Sequence, residues 1–164
     1  MSIISTKALD PVYISEGVLS VTQKSQGIDY RMLSSCFTVT ATMSDKTLRG
    51  AHFAHFGAET GGKSPSELLK AFSTSLQSAR EKGTNVVEVQ VIGNLDVWPP
   101  ALLGLSTSAL SLSSSSAQSE LCSQLGIEGA KVVDTTDHDY VYLTISPKGS
   151  AQIKLPKDDD KSQK

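Results

Sequence analysis

Disulfide staples are the first absence. The chain holds only two cysteines, Cys36 and Cys122, in 164 residues, too few for the framework of a small secreted scaffold. They are expected to be reduced thiols. Zinc spacing is missing as well. No two cysteines stand close together, and the histidines have no carboxylate arranged with them in a recognisable metal pattern, so no metal or other cofactor is expected. Long apolar runs are lacking, which excludes a transmembrane helix. The N-terminus has no basic region followed by an apolar core, so no Sec-type signal peptide is expected. The chain is then expected in the cytoplasm, or in a host cell reached by a route without such a signal. Neither sign of charge dominates: 15 Lys and Arg face 17 Asp and Glu, a net charge of -2. That balance gives no reason to expect a nucleic-acid partner. No internal repeat is present, and Gly57 to Lys63 lacks the spacing of a phosphate-binding loop.

What remains is a chain 38% hydrophobic, long enough to bury one proper core. A single domain is expected over 1–156, acting as a monomer, with a disordered charged tail at 157–164. Short strands are expected at 12–14 and 17–22. Cys36 to Met43 alternates Phe37, Val39 and Ala41 with Thr38, Thr40 and Thr42, the period of a strand. Ser44 to Thr47 turns the chain, and Leu48 to Phe56 is expected to return as an antiparallel partner. Ser64-Pro65-Ser66-Glu67 is a helix start, with a capping serine, a proline at the first helical position and a glutamate to close the capping box. Leu68, Leu69, Phe72, Leu76 and Ala79 then recur at helical spacing up to Gly83. A strand follows at 86–92. A second helix is expected at 115–125, and further strands at 131–134, 140–146 and 150–155, the last two joined through Pro147-Lys148-Gly149. The order reads as α+β, with mainly antiparallel strands and two helices packed outside.

The chemistry concentrates around Cys36. Two of the three histidines, His52 and His55, lie in the strand expected to pair with it. A thiol attacks and an imidazole takes and returns the proton; such a pair performs acyl or amide chemistry. Cys36 stands where the polar pair Ser34-Ser35 becomes a strand. There the backbone N–H groups of Ser35 and Cys36 are not all committed to a ladder and are candidates for holding an oxyanion. His52 and His55 are three apart and point to opposite faces of a regular strand, so at most one meets Cys36. A simple hairpin places Cys36 opposite a residue close to His55, which makes His55 the favoured base and His52 the alternative. Cys122, beside Leu121 and Leu125, reads as buried and inert. His138 reads as solvated in a polar turn. Trp98, with Pro99-Pro100, reads as a loop anchor ahead of a partner contact.

Leu33-Ser34-Ser35-Cys36 resembles the Leu-Ser-Gly-Cys signature of the cytotoxic necrotizing factor catalytic domains and the bacterial lethal-factor deamidases. The order of Cys strand, turn and Gly50-x-x-x-x-His55-Phe56 is similar to that of the CheD chemoreceptor glutamine deamidases, and the pattern extends over roughly residues 17 to 155. The resemblance implies an α/β sandwich and hydrolysis of a glutamine side-chain amide to glutamate on a partner protein. Cys36 would be the nucleophile and His55 or His52 the base. Ser35 stands where the toxin signature has glycine. Tyr30 stands where CheD and the lethal factors have a threonine that orients the histidine; in the necrotizing factors a backbone carbonyl does this work. The Gly-Gly-x-x-Gly-Arg element of CheD is absent from 134–140, which favours a toxin-like or effector-like deamidase over one acting on chemoreceptors. A non-catalytic binding module on the same fold, or a related amidase or transglutaminase, is the alternative.

Overall fold

The structure, a computed structural model, describes residues 9–155. Residues 1–8 and the tail expected at 157–164 lie outside the described residues. Nine strands and two α-helices follow in the order β1 (Val12–Tyr13), β2 (Leu19–Val21), β3 (Ile28–Leu33), β4 (Phe37–Met43), β5 (Leu48–Phe53), α1 (Pro65–Glu81), β6 (Val86–Gly93), α2 (Ser115–Leu125), β7 (Lys131–Asp134), β8 (Val141–Ile145) and β9 (Ala151–Lys154). They form a five-stranded sheet, β2-β5-β4-β6-β7, and a four-stranded sheet, β1-β3-β8-β9. Pairing is antiparallel except for β1 with β3 and β6 with β7. The architecture is thus an α+β sandwich of mainly antiparallel strands with two packed helices.

Side-chain alternation on β4 generates the layers. Phe37, Val39, Ala41 and Met43 point one way, into a core completed by Leu68, Leu69, Phe72 and Leu76 of α1 and by Leu121 and Leu125 of α2. The opposite face of the same sheet packs on the four-stranded sheet through Ile14, Ile28, Tyr30, Leu33, Cys36, Ile92, Val141, Leu143 and Ile145. Helices, five-stranded sheet and four-stranded sheet therefore stack as three layers. β4 is buried on both faces, and its inter-sheet face carries the polar Thr38 and Thr40. The helix start behaves as its sequence requires: Ser64 Oγ accepts from Glu67 N–H, and the Ser64 hydroxyl donates to the Glu67 carboxylate at 2.6 Å.

Two expectations need correction. Ile28–Leu33 forms a strand that its sequence hides. Its pairing with β8 shifts register between Asp29 and Arg31, and Arg31 sits at φ 56, so the period of two is broken in the middle. β5 ends at Phe53 rather than Phe56, and the chain turns at once, with Gly57 N–H donating to Ala54 O at 3.2 Å. His55 consequently lies in the turn. Among the described residues no helix is long and apolar enough to cross a membrane.

Candidate active site

The register of β4 on β5 decides which histidine meets the cysteine. Phe37 pairs with Phe53 and Thr38 with His52, so Cys36 follows on across from Ala54, and both lie in the inter-sheet core. Thr38, its partner His52 and Cys36 therefore share one face, with Cys36 and His52 as diagonal neighbours. The hairpin does bring Cys36 opposite a position close to His55. That position is Ala54, however, and the next residue turns to the other side. His55 lies edge-on to Trp98, ring centroids 4.3 Å apart, beside the Phe37–Trp98 contact at 4.8 Å in the helix-side core.

The cysteine is fixed from behind. The carbonyls of Ser34, Ser35 and Cys36 accept, in turn, from Asn94 Nδ2 at 3.3 Å, Trp98 Nε1 at 2.8 Å and Asn94 N–H at 3.2 Å. Trp98 is fully buried and serves as the expected anchor. The N–H groups of Ser35 and Cys36 donate to no other group among the described residues.

Glu16 joins them, a residue that no sequence pattern singled out. Gly17 N–H donates to His52 O at 2.8 Å and His52 N–H to Val18 O at 3.1 Å. The segment before β2 is thereby laid along β5, with Glu16 beside His52. Gly17 has φ 78, a conformation that favours glycine, and its carbonyl accepts from Lys63 N–H at 2.9 Å. A carboxylate oxygen of Glu16, Cys36 Sγ and a ring nitrogen of His52 all lie within 4.8 Å of one another. The Cys36 thiol donates to Glu16 Oε1 at 3.8 Å. Cys36 and His52 are buried and Glu16 is exposed. A pocket of about 350 Å³ is lined by Glu16 and His52 together with Tyr13, Tyr30 and Arg31; Cys36 is not part of its lining.

His52 Nδ1 lies 2.9 Å from the carbonyl oxygen of Ile14. A carbonyl only accepts, so Nδ1 carries the proton and Nε2 bears the lone pair in the neutral ring. Nε2 is buried with no hydrogen-bond partner. Burial holds the His52 pKa below its usual value, opposed by the Ile14 bond and the Glu16 charge. Burial pushes the Cys36 thiol up to about 12, reinforced by the charge and hydrogen bond of Glu16. At neutral pH the resting pair is a thiol beside a neutral imidazole.

Tyr30 does not orient the histidine through its hydroxyl. That group shares a 2.6 Å hydrogen bond with Thr40 Oγ1, and burial raises its pKa. Only its ring reaches His52, edge-on with centroids 5.9 Å apart. A tyrosine is too long for the place of a threonine, and the orienting oxygen comes from the backbone of Ile14. Cys122 is buried in the helix-side layer, where burial raises its thiol pKa. His138 is exposed. No family model, curated protein or solved structure matches this chain.

Proposed function

We propose that the protein is a cysteine-dependent glutamine deamidase acting on a partner protein. The observation that carries this reading is the His52 ring. One nitrogen is tied to a backbone carbonyl and the other is buried and unpartnered, on a ring that lies in a cluster with a thiol. A histidine oriented by a backbone carbonyl is what the resemblance to the necrotizing factors implies.

In this mechanism the Cys36 proton passes to His52 Nε2 as Sγ attacks the glutamine Cδ. The N–H groups of Ser35 and Cys36 hold the oxyanion. The imidazolium returns its proton to the amide nitrogen, which leaves as ammonia, and a thioester remains. Water, deprotonated by His52, attacks the thioester and releases glutamate and the thiol. Glu16, whose charge raises the His52 pKa, stabilises the imidazolium formed in each half of the cycle. The raised thiol pKa makes proton transfer part of the attack, in place of a standing thiolate.

The test is ammonia release and a mass gain of about one dalton per converted glutamine on a panel of glutamine-bearing proteins. Cys36→Ser is expected to abolish both. His52→Ala should lower the rate about 10²–10⁴-fold, while His55→Ala should retain most of it. Wild-type rates in Cys36→Ser would end the reading. Inactivity of His55→Ala with full activity of His52→Ala would reverse the choice of base. A larger mass adduct in the presence of amines would mark a transglutaminase.

A further inference from the structure

We infer that Glu16, Cys36 and His52 form a binding site for a single zinc ion, and that metal occupancy blocks the thiol. Sulfur, imidazole nitrogen and carboxylate oxygen are the three donor types that zinc takes from proteins, and three protein ligands with an open fourth position are a recurrent set. Bond lengths of about 2.0–2.3 Å put the ligands of a tetrahedral zinc about 3.5 Å apart. Cys36 Sγ and Glu16 Oε1 already stand at 3.8 Å, and all three donors lie within 4.8 Å of one another. Small side-chain rotations would close the remainder, and Glu16 is exposed.

Both nitrogens of the His52 ring point to a ligand at this place. His52 Nε2 is a buried lone pair without a partner, on a residue 3% exposed. The other ring nitrogen is held by the Ile14 carbonyl at 2.9 Å, the outer hydrogen bond that metal-binding histidines use to fix tautomer and ring orientation. The pocket lined by Glu16 and His52 leaves the fourth position to water. Coordination requires the thiolate, so each ion bound releases the Cys36 proton to solvent. Zinc binding does not depend on the deamidase reading, but the inhibitory consequence rests on it.

Cobalt is the probe, because its thiolate complexes absorb. The full chain carrying Cys122→Ser, reduced and stripped with EDTA, is titrated with Co²⁺ and the cobalt is then displaced with Zn²⁺. One equivalent should produce a thiolate-to-cobalt charge-transfer band that Zn²⁺ removes, and bound Zn²⁺ should protect Cys36 from iodoacetamide. Adding Cys36→Ser should abolish the band. Glu16→Gln changes an exposed side chain, so the fold is expected to persist on circular dichroism, and zinc affinity should fall at least tenfold. No band in the parent, a band that survives Cys36→Ser, or unchanged zinc affinity in Glu16→Gln would overturn the site. Zinc binding without deamidation in the metal-free protein would leave the site standing and end the deamidase reading. Deamidation unaffected by bound zinc would end the inhibitory role.

Discussion

Cys36 sits between two influences of opposite use. Burial and Glu16 hold its proton on, while His52 offers a lone pair to receive it. The alkylation profile of the metal-free protein should report this balance. In a Cys122→Ser background, iodoacetamide should react slowly at pH 8, with the rate still climbing above pH 10. Glu16→Gln removes a charge and an acceptor that both favour the neutral thiol, so its midpoint should move down. Burial, the larger cause, remains, and the midpoint should stay above that of a free thiol. A midpoint unmoved or raised in Glu16→Gln would contradict the role given to this carboxylate. The same shift acts on stability. The folded state keeps the Cys36 proton where the unfolded chain loses it, so this contribution is complete below about pH 9 and is lost as pH rises towards 12. Cys36 and the two histidines were legible because rare side-chain types clustered in one hairpin. Glu16 was not, because β2–β5 pairing brings it in and no local spacing encodes that pairing. The Ile14 carbonyl left no trace either, since every residue has one.

At the scale of elements, the pairing of β4 with β6 carries the site. Gly93 pairs with Phe37, and a Cβ there would overlap the Phe37 backbone and the Cys36 carbonyl. That overlap is with main chain, which no rotamer change relieves. Gly93→Ala should lower stability by about 1–3 kcal/mol, the usual range for overpacking, measured by urea unfolding. It should also cut activity more than stability accounts for, because Cys36 is displaced. Gly129 has open space where its Cβ would stand, so Gly129→Ala should stay within about 0.5 kcal/mol of wild type. Equal effects of the two substitutions would count against the close approach. The elements with a clean period were readable in advance: β4 by its alternation, α1 by its cap and apolar stripe, α2 by its length and Gly126. β3 was hidden because its bulge at Asp29–Arg31 breaks the alternation. His55 was misplaced because the chain turns after Phe53, three residues before the apolar pattern stops. A hairpin register that was nearly right thus still favoured the wrong face, since one residue along a strand reverses the side chain.

For the whole molecule, the two faces of the five-stranded sheet do different work. The helix-side core is almost wholly apolar and is filled by Phe72, Leu76 and Leu121. The inter-sheet layer also holds Tyr30, Thr38, Thr40 and His52. A polar interior costs stability unless its groups are paired. Here Tyr30 bonds Thr40, Thr38 bonds the Ile92 carbonyl at 3.2 Å, and Nδ1 of His52 bonds Ile14. Among the described residues Arg49 Nε, His52 Nε2 and His55 Nε2 are buried without a partner; of these His52 Nε2 belongs to this layer and is the atom to which the proposed function gives the proton transfer. The two layers should therefore respond separately to substitution. Phe72→Ala empties a fully buried position between α1 and the sheet and should cost about 3–5 kcal/mol of folding stability. Below its unfolding transition, the alkylation midpoint of Cys36 should match wild type, because Phe72 touches nothing on the inter-sheet face. Thr40→Val removes the shorter of the two bonds of the buried Tyr30 hydroxyl, leaves it only the Val39 carbonyl at 3.4 Å, and should cost about 0.5–1.5 kcal/mol. Of the two, only this smaller loss should shift the Cys36 profile. A shift in Phe72→Ala as large as in Thr40→Val would mean that the sheet transmits strain from one layer to the other, and that the site depends on the helices as much as on the second sheet.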